Sequence, residues 1–258
     1  MEPVLFEKKE HIGWLTLNRP KQRNTLSLEL MDEMQRRLDL VAKDKDVRVV
    51  VIRGSGPAFC AGHDMNELVG EGYGIDHFRK VFSVCSDMMQ TLHKLPQPVI
   101  AQVHGVAMAA GCQLVAACDL AVADSKTKFS TPGVKIGLFC ITPMVPLSRV
   151  IGRGRALDML FTGRFVSAQE AERFGLVNKV VDPDKLAEET RSWAVEIARY
   201  SRFTLGFGKK AFYEQVDQDE ASAYKYAKEA IAQNCLAEDA QEGMKAFLEK
   251  RKPIWKDR

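Results

Sequence analysis

The sequence predicts an α/β fold, and three observations support this prediction. Segments with the two-residue period of a strand alternate with segments of helical period as far as about residue 125. Glycine or proline closes most of these segments, as is usual at turns between packed elements. From about residue 154 onward the pattern is mainly helical. Such an alternation is typical of a mainly parallel sheet that is covered by helices.

Three segments in the first half of the chain predict strands. HIGWLTLNRP, residues 11–20, alternates apolar and polar residues until Pro20 ends the pattern. VRVVVIRG, residues 47–54, is almost entirely apolar and β-branched, which predicts a strand buried on both faces. QPVIAQVHG, residues 97–105, predicts a third and shorter strand.

Helices are predicted between and after these strands. Ser27 is a capping residue, and apolar side chains follow it at helical spacing as far as Val41. Residues 74–96 predict a second long amphipathic helix, and the turn-rich segment 54–70 before it is expected to enter a helix. Five further helices are predicted at 154–162, 167–174, 184–200, 203–216 and 217–250.

We expect residues 1–200 to form the core and residues 201–258 to form a C-terminal helical region. No linker or low-complexity segment separates the two parts. The helical region is therefore expected to pack on the core or on a neighbouring subunit. No exact internal sequence repeat is present.

Composition narrows the classes of function. The chain has 258 residues, 46% of them hydrophobic, and a formal net charge of +3. Its basic residues cluster only at the C-terminus, so no nucleic-acid partner is predicted. No apolar run reaches membrane length and the N-terminus lacks a signal-type apolar core, so no membrane insertion is predicted. The six cysteines form no CxxC and have no histidine at metal-ligand spacing. They predict buried free thiols, no metal site and a cytoplasmic location.

The turn at Ala109, Ala110 and Gly111 is the first candidate site, because it lies between a predicted strand and a predicted helix. The start of a helix leaves backbone N–H groups unpaired, and small side chains let a ligand oxygen approach them. Tight packing of the helix on the strand explains the same residues without a ligand. A second loop has the same pattern at Ala61 and Gly62, directly before His63.

Two loops of this kind could each supply one N–H group to a shared oxygen, which would form an oxyanion hole. Two hypotheses stay open for His63, which is either a structural or solvated group, or a donor or proton carrier in the site. Asp64 in the same turn is expected to cap a helix.

Six blocks of the sequence together resemble the crotonase family, also called the enoyl-CoA hydratase/isomerase family. They span nearly the whole chain in the family's order and spacing. The blocks are NRPKQRNTLS at 18–27, AFCAGHDMNEL at 58–68, KLPQPVIAQVHG at 94–105, AAGCQLVAACDLAVA at 109–123, FTGRFVSAQEAERFGLVNKVV at 161–181 and GMKAFLEKRKP at 243–253.

The resemblance implies a crotonase-like spiral of ββα units with a C-terminal helical trimerisation region. It implies an acyl-CoA thioester as partner, with coenzyme A as part of the substrate rather than a permanently bound cofactor. It also implies a homo-trimer or a dimer of trimers. The oxyanion hole maps to the N–H groups of His63 and Ala110.

The resemblance further implies contacts with coenzyme A from two loops and from the C-terminal region. For Lys250, a solvated charge on a helix is an equally good explanation as a contact with coenzyme A. The implied contact residues are Lys21, Arg23, Asn24, Ala61, Asp64, Asn66, Phe247 and Lys250.

Hydratases of the family use two Glu residues, and both positions differ here. They map to Gln113, whose amide is not a base at neutral pH, and to Gly133, which has no side chain. General acid–base assistance is typically worth about 10²–10⁴-fold, so ordinary hydration is expected to be weak. Isomerases of the family usually keep the second Glu, which places that reaction in doubt as well.

Four other polar residues are candidates to replace the two carboxylates. Cys140 is expected to be a neutral packing thiol, and Thr142 lies beside it in the segment that lines the family's acyl pocket. Glu67 is expected to be solvated, and His104 to be a structural histidine.

Three hypotheses of function follow. The first is an acyl-CoA enzyme of hydratase or isomerase type, and the second is a decarboxylase or hydrolase that uses the His63 loop. AGHD at 61–64 is similar to the oxyanion loop of the family's methylmalonyl-CoA decarboxylases, although these tend to keep an acid at the position of Gln113. The third is a non-catalytic thioester-binding protein. In the residues of its motifs, the sequence most resembles enoyl-CoA hydratase domain-containing proteins that lack the usual Glu pair.

Overall fold

Two sheets organise the chain in the computed structural model, which describes residues 2–258. In the larger sheet only the first pair of strands is antiparallel, and all other neighbours are parallel. Its strands, in the order in which they lie side by side, are β1 (Val4–Lys9), β2 (Ile12–Leu17), β3 (Val49–Gly54), β4 (Val99–Val103), β6 (Leu120–Asp124) and β9 (Lys179–Val181). The smaller sheet consists of β5 (Val106–Met108), β7 (Lys128–Ser130) and β8 (Val166–Ser167).

Helices cover both faces of the larger sheet. The helices of the described residues, not all of which touch this sheet, are α1 (Leu28–Lys43), α2 (Ile75–Lys94), α3 (Ala110–Ala117), α4 (Ile141–Ile151), α5 (Arg153–Thr162), α6 (Ala168–Phe174), α7 (Leu186–Ala198), α8 (Arg202–Gln215), α9 (Glu220–Cys235) and α10 (Glu238–Leu248). On one face α1, α2 and α3 pack on the main core, and on the other face α7 packs on Trp14 and Val51. All six residues of β2 are therefore buried, including polar Thr16, although its sequence alternates.

The chain repeats one unit, in which a strand of the larger sheet leads to the smaller sheet and then to a helix. β4, β5 and α3 form one such unit, and β6, β7 and α4 form the next. Parallel bridges between Cys60 and Ala107 and between Leu26 and His63 extend this arrangement to the first two turns. The spiral of ββα units that the resemblance implies is therefore confirmed, although no sequence repeat marks it.

Most predicted elements are present within a few residues of their expected bounds. Ser27 caps α1 as predicted, with its hydroxyl accepting a hydrogen bond from the N–H of Leu30 at 3.2 Å. Two predictions of helices were wrong. The segment 54–70 contains only a single 3₁₀ turn at Met65–Glu67, because three glycines follow within eight residues of its end. The predicted helix 217–250 is two helices that part at Ala237, whose backbone is extended.

The first helix of the C-terminal region is held on the core by a buried ion pair. The ammonium group of Lys209 on α8 lies 2.6 Å from a carboxylate oxygen of Asp119 and donates to the carbonyls of Leu92 and Gln97. The hydroxyl of Tyr213 donates to the other oxygen of Asp119 at 2.8 Å. These contacts cross the expected boundary near residue 200, which itself stays a prediction.

Of the helices within residues 2–258, none combines the length and the apolar character needed to cross a bilayer.

Alanine substitution of Gly111, with Gly208 as the control position, tests how closely the turns of the spiral approach each other. A Cβ on Gly111 would lie 2.2 Å from the carbonyl oxygen of Cys60, whereas a Cβ on Gly208 would meet nothing within 4 Å. We expect Gly111→Ala to lower the free energy of unfolding by about 1–3 kcal/mol, because the backbone must move. Gly208→Ala, the control at an exposed position of α8, should raise it by about 0.5–1 kcal/mol. Urea unfolding of both variants measures the difference, and equal effects would contradict the close approach.

Candidate functional site

Two loops from successive turns of the spiral lie against each other. The loop after β3 pairs with β5 through two backbone bonds, from the N–H of Cys60 to Val106 at 3.2 Å and from Met108 to Cys60 at 3.0 Å. A Cβ on Gly62 would lie 3.7 Å from the nitrogen of Ala110. The two glycine- and alanine-rich turns singled out in the sequence are therefore neighbours in space.

The N–H groups of His63 and Ala110 are free at this junction. The residues that flank His63 both bond to Leu26, since Leu26 donates to the carbonyl of Gly62 at 2.8 Å and accepts from Asp64 at 3.0 Å. The intervening N–H of His63 therefore points away from Leu26. Ala110 is the first residue of α3, where an N–H has no intrahelical partner. Among the bonds within residues 2–258, neither of these two N–H groups donates to the protein.

Ala109, directly before this helix, has an unusual backbone conformation. Its φ is 48° and its ψ is −116°, in a region that residues with a Cβ rarely adopt. Its N–H donates to Ser130 at 2.9 Å, and its carbonyl accepts from Gln113 at 3.0 Å. Neighbouring strands and the helix thus hold a conformation that costs on the order of 1–3 kcal/mol. Strain of this kind concentrates at functional sites, so the turn is a candidate for ligand binding on physical grounds.

The imidazole of His63 is half-buried and uncharged at neutral pH. It packs edge-on against Phe82 of α2, with ring centroids 5.2 Å apart. Its Nε2 atom is buried without a partner, and burial lowers the pKa of His63 to about 4. The neutral side chain can therefore donate a hydrogen bond from one ring nitrogen and accept one at the other, but it does not carry a second proton or a positive charge at neutral pH.

Gln113 is buried near the start of α3. Its Oε1 atom, like the hydroxyl of Thr131 in the segment after β7, has no hydrogen-bond partner within the described chain. Gln113 is only 3% exposed. Its amide can therefore orient a polar group, but it supplies no base.

Gly133 is buried within a 3₁₀ turn that follows Thr131 and whose last three residues are exposed. A Cβ at Gly133 would lie 2.7 Å from the carbonyl oxygen of Leu138 and 2.9 Å from the Sγ atom of Cys140. The space into which a side chain at this position would project is therefore filled by the following segment. This closure was not evident from the sequence, which shows only a glycine.

The other candidate side chains are explained by packing and capping. Burial raises the pKa of the Cys140 thiol, which agrees with a neutral packing role. His104 contacts the carbonyl of Gly56 through Nε2 at 2.8 Å, as a structural histidine does. Glu67 was expected to be solvated, and this prediction was wrong. Both of its carboxylate oxygens accept from the N–H of Leu28 at the start of α1. Thr142 is half-buried in α4.

The two blocks that the resemblance assigns to coenzyme A meet along one edge. The N–H of Ala61 donates to the carbonyl of Arg23 at 3.0 Å, while the side chains of Lys21 and Arg23 are exposed. Asn66 is also exposed. Asn24 is different, because its side chain is fully buried and its amide group donates to the carbonyls of residues 55 and 58. The side chain of Asn24 therefore holds the loop together and is not available to a ligand.

The carboxylate of Asp64 also has partners within the protein. One of them, Arg19, is a residue that the sequence motifs did not single out. The Oδ2 atom of Asp64 lies 3.0 Å from the guanidinium of Arg19, and its Oδ1 atom accepts from the N–H of Asn66 at 3.1 Å. Burial opposes ionisation, but these bonds keep the pKa of Asp64 below its usual value. Asp64 caps the 3₁₀ turn as predicted, and only its place in the folded loop reveals Arg19 as its partner.

Phe247 and Lys250 lie at the end of the C-terminal region. Phe247 is 82% exposed, and α10, which carries it, packs on α8 and α9. Lys250 follows the helix with a positive φ of 53°. Neither side chain forms a hydrogen bond or ion pair with the two loops within residues 2–258, so their assignment to coenzyme A stays a prediction.

Spiral and site together define a crotonase-type α/β protein, in which adjacent turns present two backbone N–H groups. A family model described as enoyl-CoA hydratase/isomerase matches residues 7–258. The chain therefore belongs to the enoyl-CoA hydratase/isomerase family, as the sequence motifs had indicated.

Relatives with the same fold are named as hydratases or as hydratase domain-containing proteins. The chain is 48% identical over 253 residues to the human protein named enoyl-CoA hydratase domain-containing protein 3, mitochondrial, covering 98% of this chain and 83% of that one. A crystal structure of human enoyl-CoA hydratase domain-containing protein 3 has a TM-score of 0.95, with 47% identity and coverage of 98% and 100%. An enoyl-CoA hydratase structure from Mycobacterium smegmatis has a TM-score of 0.96, with 44% identity and 99% of each chain covered.

The desolvated imidazole of His63 predicts a specific loss of stability in acid. In the unfolded chain a histidine has a pKa near 6.5, whereas burial lowers the pKa of His63 to about 4. The unfolded state therefore binds a proton first, and the free energy of unfolding falls as the pH drops from about 6.5 to 4. The loss is on the order of 3 kcal/mol. We expect His63→Gln to lose less stability across this range in urea unfolding, and parallel pH curves would contradict the prediction.

Proposed function

We propose that this chain binds acyl-CoA thioesters and that the N–H groups of His63 and Ala110 donate hydrogen bonds to the thioester carbonyl oxygen. One observation carries the proposal: two N–H groups without partners meet where two adjacent turns of the spiral touch. Coenzyme A enters as part of the substrate, and no permanently bound cofactor is proposed. Lys21, Arg23 and Asn66 are the exposed residues of the two loops that would contact it.

Such a pair of donors favours reactions that place negative charge on the thioester oxygen. Both groups belong to the backbone and are already oriented, so they need no rearrangement when the charge develops. The start of α3 at Ala110 adds the partial positive charge of a helix N-terminus. A single donor of this kind is typically worth about 10²–10³-fold in rate, so two donors stabilise an enolate substantially.

The same site lacks a strong base at neutral pH. Gln113 is an amide, Gly133 has no side chain, and the neutral imidazole of His63 is a weak base because desolvation lowers its pKa to about 4. The thiol of Cys140 is kept protonated by burial. We therefore propose that hydration of an ordinary enoyl thioester is weak, and that isomerisation, which needs the same proton transfers, is weak too.

Decarboxylation of a carboxylated acyl-CoA is the second candidate function. The neutral groups around the donors favour it, because this reaction needs no base. The bond to the carboxylate breaks, carbon dioxide leaves, and the electron pair of that bond forms the enolate that the two N–H groups would stabilise. A proton from solvent then completes the product. Binding of thioesters without turnover would instead indicate the third possibility, a non-catalytic binding protein.

A homo-trimer or a dimer of trimers is the assembly we propose. Apolar side chains are largely exposed on α9, α10 and the tail, where a single chain leaves them in water. These residues are Ile231, Leu236, Phe247, Leu248 and Ile254.

The cytoplasmic location likewise stays a proposal, since the human relative is named as mitochondrial. Fractionation of cells that express the chain tests it.

Turnover of defined thioesters tests the proposed reaction. We expect crotonyl-CoA to be hydrated far more slowly than the typical enzyme range of about 1–10³ s⁻¹. A mass-spectrometric screen with crotonyl-, longer enoyl-, methylmalonyl- and saturated acyl-CoAs measures it. Gain of water at an ordinary rate would contradict the proposal, whereas loss of carbon dioxide would favour the second candidate.

Gln113→Glu tests the missing carboxylate directly. A Glu at this buried position gains a raised pKa and can exchange protons, so hydration of crotonyl-CoA should rise by about 10²-fold, the lower end of acid–base assistance. Gln102→Glu is a matched control, because Gln102 is also buried with an unbonded Oε1 but lies in β4. Equal rates in both variants would contradict the position assigned to Gln113 in the site.

Leu236→Asp tests the proposed assembly. The wild type should have a mass three or six times that of the 28.9 kDa chain in light scattering. Leu236 is 82% exposed in the single chain, and a charge in a subunit contact should shift the mass toward that of one chain. Leu40→Asp, at an exposed position of α1, is the control and should leave the mass unchanged. A wild-type monomer would contradict the proposal.

A further inference from the structure

The carboxylate of Asp64 is fully engaged within the protein, one residue after a proposed donor of the oxyanion hole. It is 7% exposed, and its Oδ1 atom accepts from both the N–H and the side-chain amide of Asn66, at 3.1 and 3.0 Å. Its Oδ2 atom lies 3.0 Å from the guanidinium of Arg19. No oxygen is left to meet coenzyme A, whose phosphates a second negative charge would in any case repel.

Arg19 is fixed at both ends in the loop that follows β2. Its backbone N–H donates to the side-chain oxygen of Asn24 at 2.9 Å, and its guanidinium donates to the carbonyl of Thr25 at 3.1 Å. The guanidinium therefore joins the carboxylate of Asp64 to a rigid segment of backbone. Only 22% of the Arg19 side chain is exposed, so water weakens this ion pair less than a surface pair.

The ion pair stands beside the backbone bridge that orients His63. Leu26 bonds to the residue before His63 and to Asp64 after it, at 2.8 and 3.0 Å. The direction of the His63 N–H therefore follows from where Asp64 is held. A displacement of about 1 Å at a catalytic group can cost about 10²-fold in rate, so small movements of this turn matter.

We propose that Arg19 and Asp64 are positioning residues of the oxyanion hole, whose ion pair sets the direction of the His63 N–H. This inference rests on the proposed function, because it assumes that the N–H of His63 meets a thioester oxygen. Neither side chain touches the substrate. Their effect passes through the backbone between Asp64 and His63.

The polarisation of a bound thioester carbonyl tests the inference without requiring turnover. Crotonyl-CoA carrying ¹³C at the thioester carbonyl is bound to the full-length protein, and difference infrared spectroscopy measures the carbonyl stretch. Calorimetry measures the dissociation constant of the same ligand. In the wild type the stretch should move to lower wavenumber than in water, since two donors withdraw electron density from the bond.

Asp64→Asn should lose roughly half of that shift, because one of two donors is misdirected. Its dissociation constant should change by less than about tenfold, since the contacts with coenzyme A remain. Arg19→Gln should have the same effect, and Arg19→Lys, which keeps the charge, should retain more of the shift. The Arg19 variants also cover the case in which Asp64→Asn does not fold.

Asp257→Asn is the control, because Asp257 pairs with Arg48 at the same distance of 3.0 Å but lies at the C-terminus. It should keep the full wild-type shift. A purely structural role for Asp64 would lower the melting temperature and leave the carbonyl stretch of the folded variant unchanged, which would overturn the inference. An unshifted carbonyl or no binding in the wild type would instead overturn the proposed function itself.

Discussion

The contact between two successive turns of the spiral, where Cys60 pairs with β5 and Gly111 packs on its carbonyl, is the constraint on which the candidate site depends. Only a residue without a Cβ permits this approach. It brings the N–H groups of His63 and Ala110 to one place although 46 residues separate them in the chain. The strained backbone of Ala109 lies at this contact, since a Cβ on Gly62 would stand 3.1 Å from the Cβ of Ala109.

The electrostatic character of the site comes from the backbone rather than from ionised side chains. His63, Gln113 and Cys140 are neutral because of their chemistry or their burial, while the ion pair of Arg19 and Asp64 lies behind the donor loop. Gln113 and Cys140 are buried, and a hydrogen bond is electrostatically stronger where water is excluded. Under the function proposed above, such a site would stabilise negative charge that arises during a reaction and would provide little help in moving protons.

Local pattern explains which parts of the molecule could be predicted from the sequence. The period of apolar residues gave the main strands and helices, and Ser27 marked the start of α1, because both signals lie within one element. β1 and the break at Ala237 were missed, since a charged edge strand and a turn without glycine or proline carry no such signal. The cap formed by Glu67 and the partner of Asp64 depend on residues 39 and 45 positions away, which only the fold brings together.

The closed space beside Gly133 has a consequence for what a single substitution can achieve at this position. The carbonyl oxygen of Leu138 and the Sγ atom of Cys140 lie 2.7 and 2.9 Å from the point where the first side-chain carbon of any other residue would stand. A Glu at this position would therefore meet backbone, and the segment 138–140 would have to move before a carboxylate could be placed there. A carboxylate at Gly133 is thus a change of several residues, whereas Gln113→Glu exchanges two side chains of nearly equal size.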